Sequence, residues 1–308
     1  MKKRLLIAGL GAAVASLVLP GVASAASLEE TAGALAERTS ELNMVWVGVA
    51  CVLVFLMQAG FMFLEVGFSR QKNAGTGVAK IFVNLALVTI AWWAIGYGIA
   101  EGGGNDFFGD SGFFFHFGQE VAGEAVTGES AMLMLFGLAF CGVSLAIVWG
   151  TTLERIKFGA YVIYAIVFGA LIYPLIAHGV WGGGLLGDVG GKPVMDFAGS
   201  SVVHLTGATG ALAALLLLGP RTRKYDASGK PRAIPGHSMP LVGLGVIILW
   251  IGWFGFNGGS TFGAEGNLFG EVMLNTQLAA AAGVIGASLA VYAKSKSLDV
   301  GMAGNGAI

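Results

Sequence analysis

Charged side chains are scarce in this 308-residue chain. Asp, Glu, Lys and Arg together make up 11% of it, whereas a soluble domain carries about 25%. Hydrophobic residues make up 56%, and the mean hydropathy is +0.78. The net charge of −1 gives no indication of a nucleic-acid partner. This composition excludes an ordinary soluble domain and predicts an integral membrane protein.

Cysteine and catalytic motifs are scarce as well. The two cysteines, Cys51 and Cys141, lie inside apolar runs, so we interpret them as reduced packing residues rather than a disulfide pair. The sequence has no glycine loop ending in Lys-Ser/Thr and no Cys/His cluster with metal-ligand spacing. A membrane enzyme is therefore the least favoured class, and we expect no cofactor and no metal.

The first 25 residues have the pattern of a secretory signal peptide. A basic start (MKKR) precedes an apolar stretch at 5–19, and Ala23-Ser24-Ala25 forms a small-residue cleavage site. The alternative is an uncleaved first membrane span. We assign residues 1–25 to the signal peptide and 26–308 to one membrane domain that begins with a polar lead-in at 26–43.

Seven apolar runs are each long enough to cross about 30 Å of hydrocarbon. They are Val45–Phe68, Lys80–Ala100, Ala131–Thr151, Ala160–Ala177, Gly199–Gly219, Leu241–Asn257 and Val272–Ala293. The final residues, GMAGNGAI, read as the first turn of an eighth span without a closing polar tail. We therefore expect an all-α membrane protein that is truncated at its C-terminus, within an eighth helix.

The connections between the spans differ in charge. With the N-terminus outside, every inner connection carries Lys or Arg: two in the first, two in the third, five in the fifth, and two after the seventh span. The long outer loop at 101–130 has six acidic residues and no Lys or Arg. This arrangement follows the positive-inside rule and predicts a multi-pass protein of the inner or plasma membrane with an external N-terminus.

A few polar residues interrupt the apolar runs. Gln58 and Glu65 are seven residues apart on one helix face. We expect structural roles for both, with Glu65 pairing with Arg70 or Lys72. Polar groups at membrane depth are costly and often mark a pathway, so such residues favour a pore or a transporter.

The stretch from His178 to Gly210 contains the strongest functional signal. It is a glycine-rich re-entry into the membrane, followed by Asp196 and then by a helix that carries His204 in an apolar run. Each residue also has an ordinary interpretation. His204 fits a hydrogen-bonded core histidine, and Asp196, followed by Phe-Ala-Gly-Ser, fits the N-cap of the fifth helix.

Several long motifs in this chain resemble the ammonium transporter (Amt/Mep/Rh) family. They are MQAGFMFLEVGFSRQKN, LERIKF, HGVWGGGLLG, MDFAGSSVVHLTGATGALAALLLLG and WIGWFGFNGGS, in that order. The resemblance extends from about residue 44 to the last residue. It implies a fold of eleven spans when complete, built from two inverted five-helix repeats and a final helix, of which about seven spans and the start of an eighth are present. It also implies a homotrimer with one pore per subunit and a trimeric P-II signalling protein as a partner at the cytoplasmic face.

The resemblance assigns roles to seven residues. Trp181, Phe136 and Ser260 match the outer site that captures ammonium, and Asp196 matches the acidic residue that holds this site together and helps to bind or deprotonate the cation. Phe140 and Phe256 match two stacked gates, and His204 matches the first of two pore histidines, the second of which would lie beyond residue 308. Without the resemblance, the phenylalanines fit core or lipid-facing positions, and Trp181 fits an interfacial belt.

The implied function is transport of ammonium or ammonia through a hydrophobic pore, with cation capture, deprotonation and histidine-assisted conduction. One alternative is an ammonium sensor that uses the same pore. A second is the Rh-type branch, which Trp181 disfavours because the outer tryptophan belongs to the Amt pattern. A third is a non-conducting fragment: we expect no conduction from the 308 residues alone, because half of the pore would be missing.

Overall fold

The structure, a computed structural model, describes residues 28–308, and side chains are described from residue 30. The predicted signal peptide lies outside the described residues. The chain divides into a short N-terminal unit that ends at Leu42 and a main unit, Asn43–Ile308. In the N-terminal unit, the described residues are helical, and Arg38 forms an ion pair with Glu41 at 2.5 Å. The main unit contains the three cavities discussed below.

Among the described residues, seven helices are long and apolar enough to cross a membrane. They are α1 (Leu28–Phe68), α2 (Gln71–Glu101), α3 (Gly128–Thr151), α4 (Phe158–Val180), α5 (Ser200–Leu218), α6 (Met239–Gly259) and α7 (Glu265–Ser295). A short helix, α8 (Val300–Ala307), follows. All seven predicted spans are confirmed as helices, and the predicted helical turn after residue 300 is present.

Helix α1 is longer than the span predicted at Val45–Phe68. It begins at Leu28 and includes most of the polar lead-in predicted at 26–43. The lead-in sequence, LEETAGALAERTSELNM, is rich in Leu, Ala and Glu, which have high intrinsic helix propensity. Hydropathy therefore marked where the apolar part of the helix begins rather than where the helix itself begins.

Within residues 28–308, strands are limited to one small hairpin in the loop between α2 and α3. The strands β1 (Glu120–Val121) and β2 (Glu124–Ala125) are antiparallel, with Glu120 opposite Ala125. Helix α3 follows directly. Thr127 caps it, because its side chain accepts a hydrogen bond from the Ser130 backbone N–H.

Helix α3 is the centre of the main unit. Most of its residues from Phe136 to Trp149 are buried, as expected for a helix that is apolar on all sides and surrounded by other helices. The core around it combines side chains of α1, α2, α4 and α5, and both cysteines are buried and free. The prediction of reduced packing cysteines is confirmed.

Glycines allow α6 to lie directly against α1. A Cβ atom on Gly245 would come within 2.5 Å of the Leu64 nitrogen, and one on Gly255 within 2.6 Å of the Ala50 carbonyl oxygen. Both distances are too short for any side chain, so only glycine fits these two positions. This close packing fixes α6, and with it Phe256 and Ser260, relative to the core.

The polar face predicted on α1 points into the protein. Gln58 is buried and accepts a hydrogen bond from Asn84 Nδ2 at 3.1 Å, so its predicted helix–helix role is confirmed. The predicted partner of Glu65 is wrong. Arg70 instead binds Glu154, with 2.8 Å between Nη2 and Oε2. Glu65 is buried with no hydrogen bond to either carboxylate oxygen, and its charged neighbour is Lys80.

Candidate functional site

A cavity of about 580 Å³, here called the outer cavity, contains the residues predicted for cation capture. Phe136, Trp181, Asp196 and Ser260 all line it, as does the predicted gate Phe140. These residues come from α3, from the segment between α4 and α5, and from the end of α6. Only the tertiary structure brings them together.

Two hydrogen bonds position the walls of this cavity. The Trp181 indole N–H donates to the Asp196 backbone carbonyl at 2.8 Å, which holds the ring at the cavity. The Ser260 hydroxyl donates to the Phe256 carbonyl at 2.8 Å. Because its proton is used in this bond, the Ser260 oxygen presents lone pairs to any other partner. It is therefore suited to accept an N–H donor.

The Asp196 side chain caps the start of α5, although the N-cap position predicted for it is held by Gly199. Its Oδ1 accepts from the backbone N–H groups of Gly199 and Ser200, and its Oδ2 from those of Ser201 and Val202, at 2.6–2.9 Å. The first N–H groups of a helix have no intrahelical partner, so a carboxylate there satisfies several donors at once. Both oxygens are thus occupied by the helix, and the residue orients α5.

The first turn of α5 is a π-helix, Ser200–Leu205, and it contains His204. The chain enters this turn through Gly199 at φ 92°, in the left-handed region that favours glycine. Ser144 on α3 donates its hydroxyl proton to the Val203 carbonyl at 2.8 Å. π-turns of this kind are frequent at functional sites because they redirect a side chain.

His204 faces a second cavity, of about 700 Å³, here called the inner cavity. Asn257, Asn275 and Thr276 also line this cavity. No residue in the described part of the chain hydrogen-bonds to the His204 ring, so the geometry does not match a core histidine satisfied by its neighbours. The ring nitrogens are free to form hydrogen bonds with a molecule in the inner cavity.

A file of aromatic rings lies between the two cavities. The Phe136 and Phe140 ring centroids are 4.4 Å apart, and Phe140 and Phe256 stack at 4.0 Å with an interplanar angle of 8°. The His204 ring centroid follows at 5.5 Å from that of Phe256. Phe140 and Phe256 are 2% and 0% exposed. The rings thus form a continuous series of contacts from the lining of the outer cavity to His204, and Phe197 lines both cavities.

The outer cavity also contains residues that the sequence analysis did not select. Glu101, at the end of α2, lines it together with Tyr97, Phe262 and Glu129. No residue of the described chain hydrogen-bonds to the Glu101 carboxylate. The neighbouring His178 directs both ring nitrogens at backbone carbonyl oxygens, at 3.0 and 2.6 Å. An acidic residue in the last turn of an apolar span was the sequence signal for Glu101.

Comparisons with known proteins identify the family of this chain. The sequence profile of the Ammonium Transporter Family matches residues 45–308. The ammonium transporter Amt2 of Archaeoglobus fulgidus is 40% identical over 301 residues, which cover 95% of this chain and 63% of that protein. Ammonium transporter Amt1 of Methanocaldococcus jannaschii is 41% identical over 241 residues, or 78% of this chain and 58% of that protein.

Solved structures share the fold. A structure of a Sensor Amt Protein superposes with a TM-score of 0.81 at 33% identity and covers 87% of this chain and 66% of that one. Mep2 of Candida albicans superposes with a TM-score of 0.76 at 29% identity, covering 87% and 58%. The chain thus spans between half and two thirds of the length of the curated relatives it matches. It is a multi-pass membrane protein that belongs to the Ammonium Transporter Family.

Proposed function

We propose that this chain provides the capture site and the first part of the pathway of an ammonium transporter. The observation that carries the proposal is the file of rings from Phe136 through Phe140 and Phe256 to His204, which joins two cavities. Ammonium would bind in the outer cavity, where the aromatic faces of Trp181 and Phe136 attract a cation. The Ser260 oxygen would accept one of its N–H groups.

Passage beyond the outer cavity requires the loss of charge. An ammonium ion that moved from water into the zone filled by the phenyl rings would lose its hydration without gaining other partners. The desolvation free energy of the ion is prohibitive, whereas that of neutral ammonia is far smaller. We therefore propose that a proton is removed before the Phe140–Phe256 stack opens for ammonia. His204 would then hydrogen-bond to ammonia or relay the proton, because its two ring nitrogens can exchange a proton between two partners near neutral pH.

Asp196 has a positioning role in this proposal. Its carboxylate holds the N-terminus of α5, which carries His204, and its carbonyl holds the Trp181 indole. One residue therefore sets the distance between the capture site and the pore histidine. This role is compatible with the electrostatic attraction of a cation, since the carboxylate lines the outer cavity.

We further propose a homotrimer in the inner or plasma membrane, with an external N-terminus and a P-II signalling protein at the cytoplasmic face. The orientation is supported by Lys and Arg in the connections after α1, α3, α5 and α7. Glu101 and Glu129, at the two ends of the acidic α2–α3 loop, line the outer cavity, and the charge of this loop would draw cations to it.

Equilibrium binding of radiolabelled methylammonium to the purified chain in detergent tests the capture site. We expect saturable binding that weakens by roughly fivefold or more in Trp181→Leu, because a cation–π contact contributes about 0.5–2 kcal/mol. Trp93→Leu is the matched control, since Trp93 lies outside the outer cavity. Absence of saturable binding, or equal weakening by both substitutions, would contradict the proposal.

Ammonium sensing is the second candidate, and the superposition on a protein named Sensor Amt Protein favours it. Both functions require the capture site, so binding does not separate them. Ammonium-driven flux in proteoliposomes is informative in one direction: flux that His204→Ala abolishes supports transport. Saturable binding without flux is the result expected both of a sensor and of a fragment that lacks half of the pore.

A further inference from the structure

A third pocket, of about 370 Å³, lies at the surface between the end of α1 and the loop that joins α5 to α6. Three arginines line it: Arg70, which follows α1, and Arg223 and Arg232 in the loop. None of the residues assigned to ammonium capture or conduction lines this pocket. It is therefore separate from the proposed transport pathway. We here call it the arginine pocket.

The loop that forms this pocket is ordered. The Arg232 backbone N–H donates to the Lys224 carbonyl at 2.6 Å, next to a bridge between Tyr225 and Pro231. The His237 backbone N–H donates to the Ser69 carbonyl at 2.9 Å, which anchors the loop to the end of α1. The loop backbone thus holds its two arginines in defined positions beside Arg70.

Positive charge in this region exceeds the negative charge. The carboxylate of Glu154 lies next to the arginine pocket. It forms ion pairs with Arg70 at 2.8 Å and with Arg221 at 3.5 Å. Within residues 28–308, the guanidinium groups of Arg223 and Arg232 make no hydrogen bond and no ion pair. Arg223 also has a backbone φ of 67°. A non-glycine residue in this conformation costs free energy, so the surrounding contacts of the loop hold Arg223 in place.

We propose that the arginine pocket binds a phosphate group, carried either by the headgroup of an anionic phospholipid or by a free phosphate. Planar guanidinium groups match the oxygens of phosphate with paired hydrogen bonds. The pocket lies beyond the last residue of α1, Phe68, and between Leu218 at the end of α5 and Met239 at the start of α6. Ends of spanning helices lie at the level of the lipid headgroups.

The test uses the purified full chain and two probes. Native mass spectrometry counts the phosphatidic acid molecules retained from mixed micelles with phosphatidylcholine, and thermal unfolding measures stabilisation by inorganic phosphate at constant ionic strength. We compare the double variant Arg223→Gln/Arg232→Gln with Lys294→Gln/Lys296→Gln, which removes two positive charges elsewhere. Arg223→Lys/Arg232→Lys keeps the charge and loses the planar groups, and it replaces the glutamine variant if that variant does not fold.

We expect the arginine-to-glutamine variant to lose at least about tenfold in affinity for one of the probes, because hydrogen bonds to charged groups are among the strong ones. The lysine control should retain the affinity of the unaltered chain. Loss confined to phosphatidic acid identifies a headgroup site, and loss of stabilisation by inorganic phosphate identifies a site for the free anion. Binding of neither probe, or equal losses in the arginine variant and the lysine control, would overturn the proposal.

Discussion

Two carboxylates at the outer cavity, those of Asp196 and Glu101, have opposite surroundings. Asp196 accepts four backbone hydrogen bonds from the start of α5. Glu101 faces the cavity and accepts none from the described residues. A carboxylate saturated with N–H donors mainly positions a helix, whereas an unsatisfied one in a cavity with low-dielectric walls attracts cations. We therefore predict that the attraction of cations to the outer cavity depends mainly on Glu101.

The substitution Glu101→Gln should weaken methylammonium binding to the purified chain by roughly fivefold, because a carboxylate near a bound cation in a partly desolvated cavity contributes on the order of 1 kcal/mol. Equilibrium dialysis measures this change. Glu124→Gln, on the exposed strand β2, is the control and should leave the affinity unchanged. If Glu101→Gln binds as tightly as the original chain, Glu101 has no part in capture.

At the scale of one element, the first turn of α5 depends on a glycine. Gly199 has a φ of 92°, and a Cβ atom there would lie 2.5 Å from Cγ2 of Val203. The residue therefore meets two constraints, the left-handed backbone and the contact with the next turn. Because His204 follows within the same π-turn, the backbone at Gly199 determines where the histidine points.

Gly199→Ala should lower the free energy of unfolding by about 2–6 kcal/mol, since backbone strain of about 1–3 kcal/mol adds to the overpacking of Val203, which costs a similar amount. Gly183→Ala is a matched control: Gly183 also has a positive φ, 84°, but nothing lies within 4 Å of its Cβ position. It should show the backbone strain alone. Chemical denaturation in detergent, followed by tryptophan fluorescence, measures both, and equal costs would contradict the role of the Val203 contact.

For the whole molecule, Glu154 joins three connections that are distant in sequence. It lies between α3 and α4, and it binds Arg70 after α1 and Arg221 after α5. Burial raises the pKa of Glu154, but hydrogen bonds from the side chain and backbone of Arg70 and from Asn73 outweigh this effect and lower the pKa to about 2. The unfolded carboxyl has a pKa of about 4.3, so the folded state favours the ionised form.

A folded-state pKa below the unfolded one means that the stabilisation is complete above about pH 5 and is lost as the pH falls from there towards 2. We expect Glu154→Gln to destabilise the chain by about 3 kcal/mol at pH 7, because it leaves Arg70 without its partner. The difference in stability between the original chain and this variant should shrink as the pH falls from 5 to 3. Thermal unfolding in a pH series measures it, and a difference independent of pH would contradict the assignment.

Much of this protein could be predicted because the bilayer imposes simple rules on a sequence. Long apolar runs must form helices that satisfy their own backbone, so all seven spans were predicted, together with the buried face of Gln58 and the cap at Asp196. The errors concern properties that hydropathy does not report. Helix propensity extended α1 back to Leu28, and Glu65 lacks the basic partner that sequence proximity suggested.

The sequence by itself determined the number of spans, the polar residues within them and the family motifs, because these depend on local composition and order. Only the tertiary structure decided which of those residues meet. Phe140 and Phe256 lie on different helices, and their stacking at 4.0 Å follows from the close packing of α6 on α1 and the central position of α3. The place of Glu101 in the outer cavity and the convergence of three arginines beside α1 likewise arise from contacts between distant segments, which no local pattern specifies.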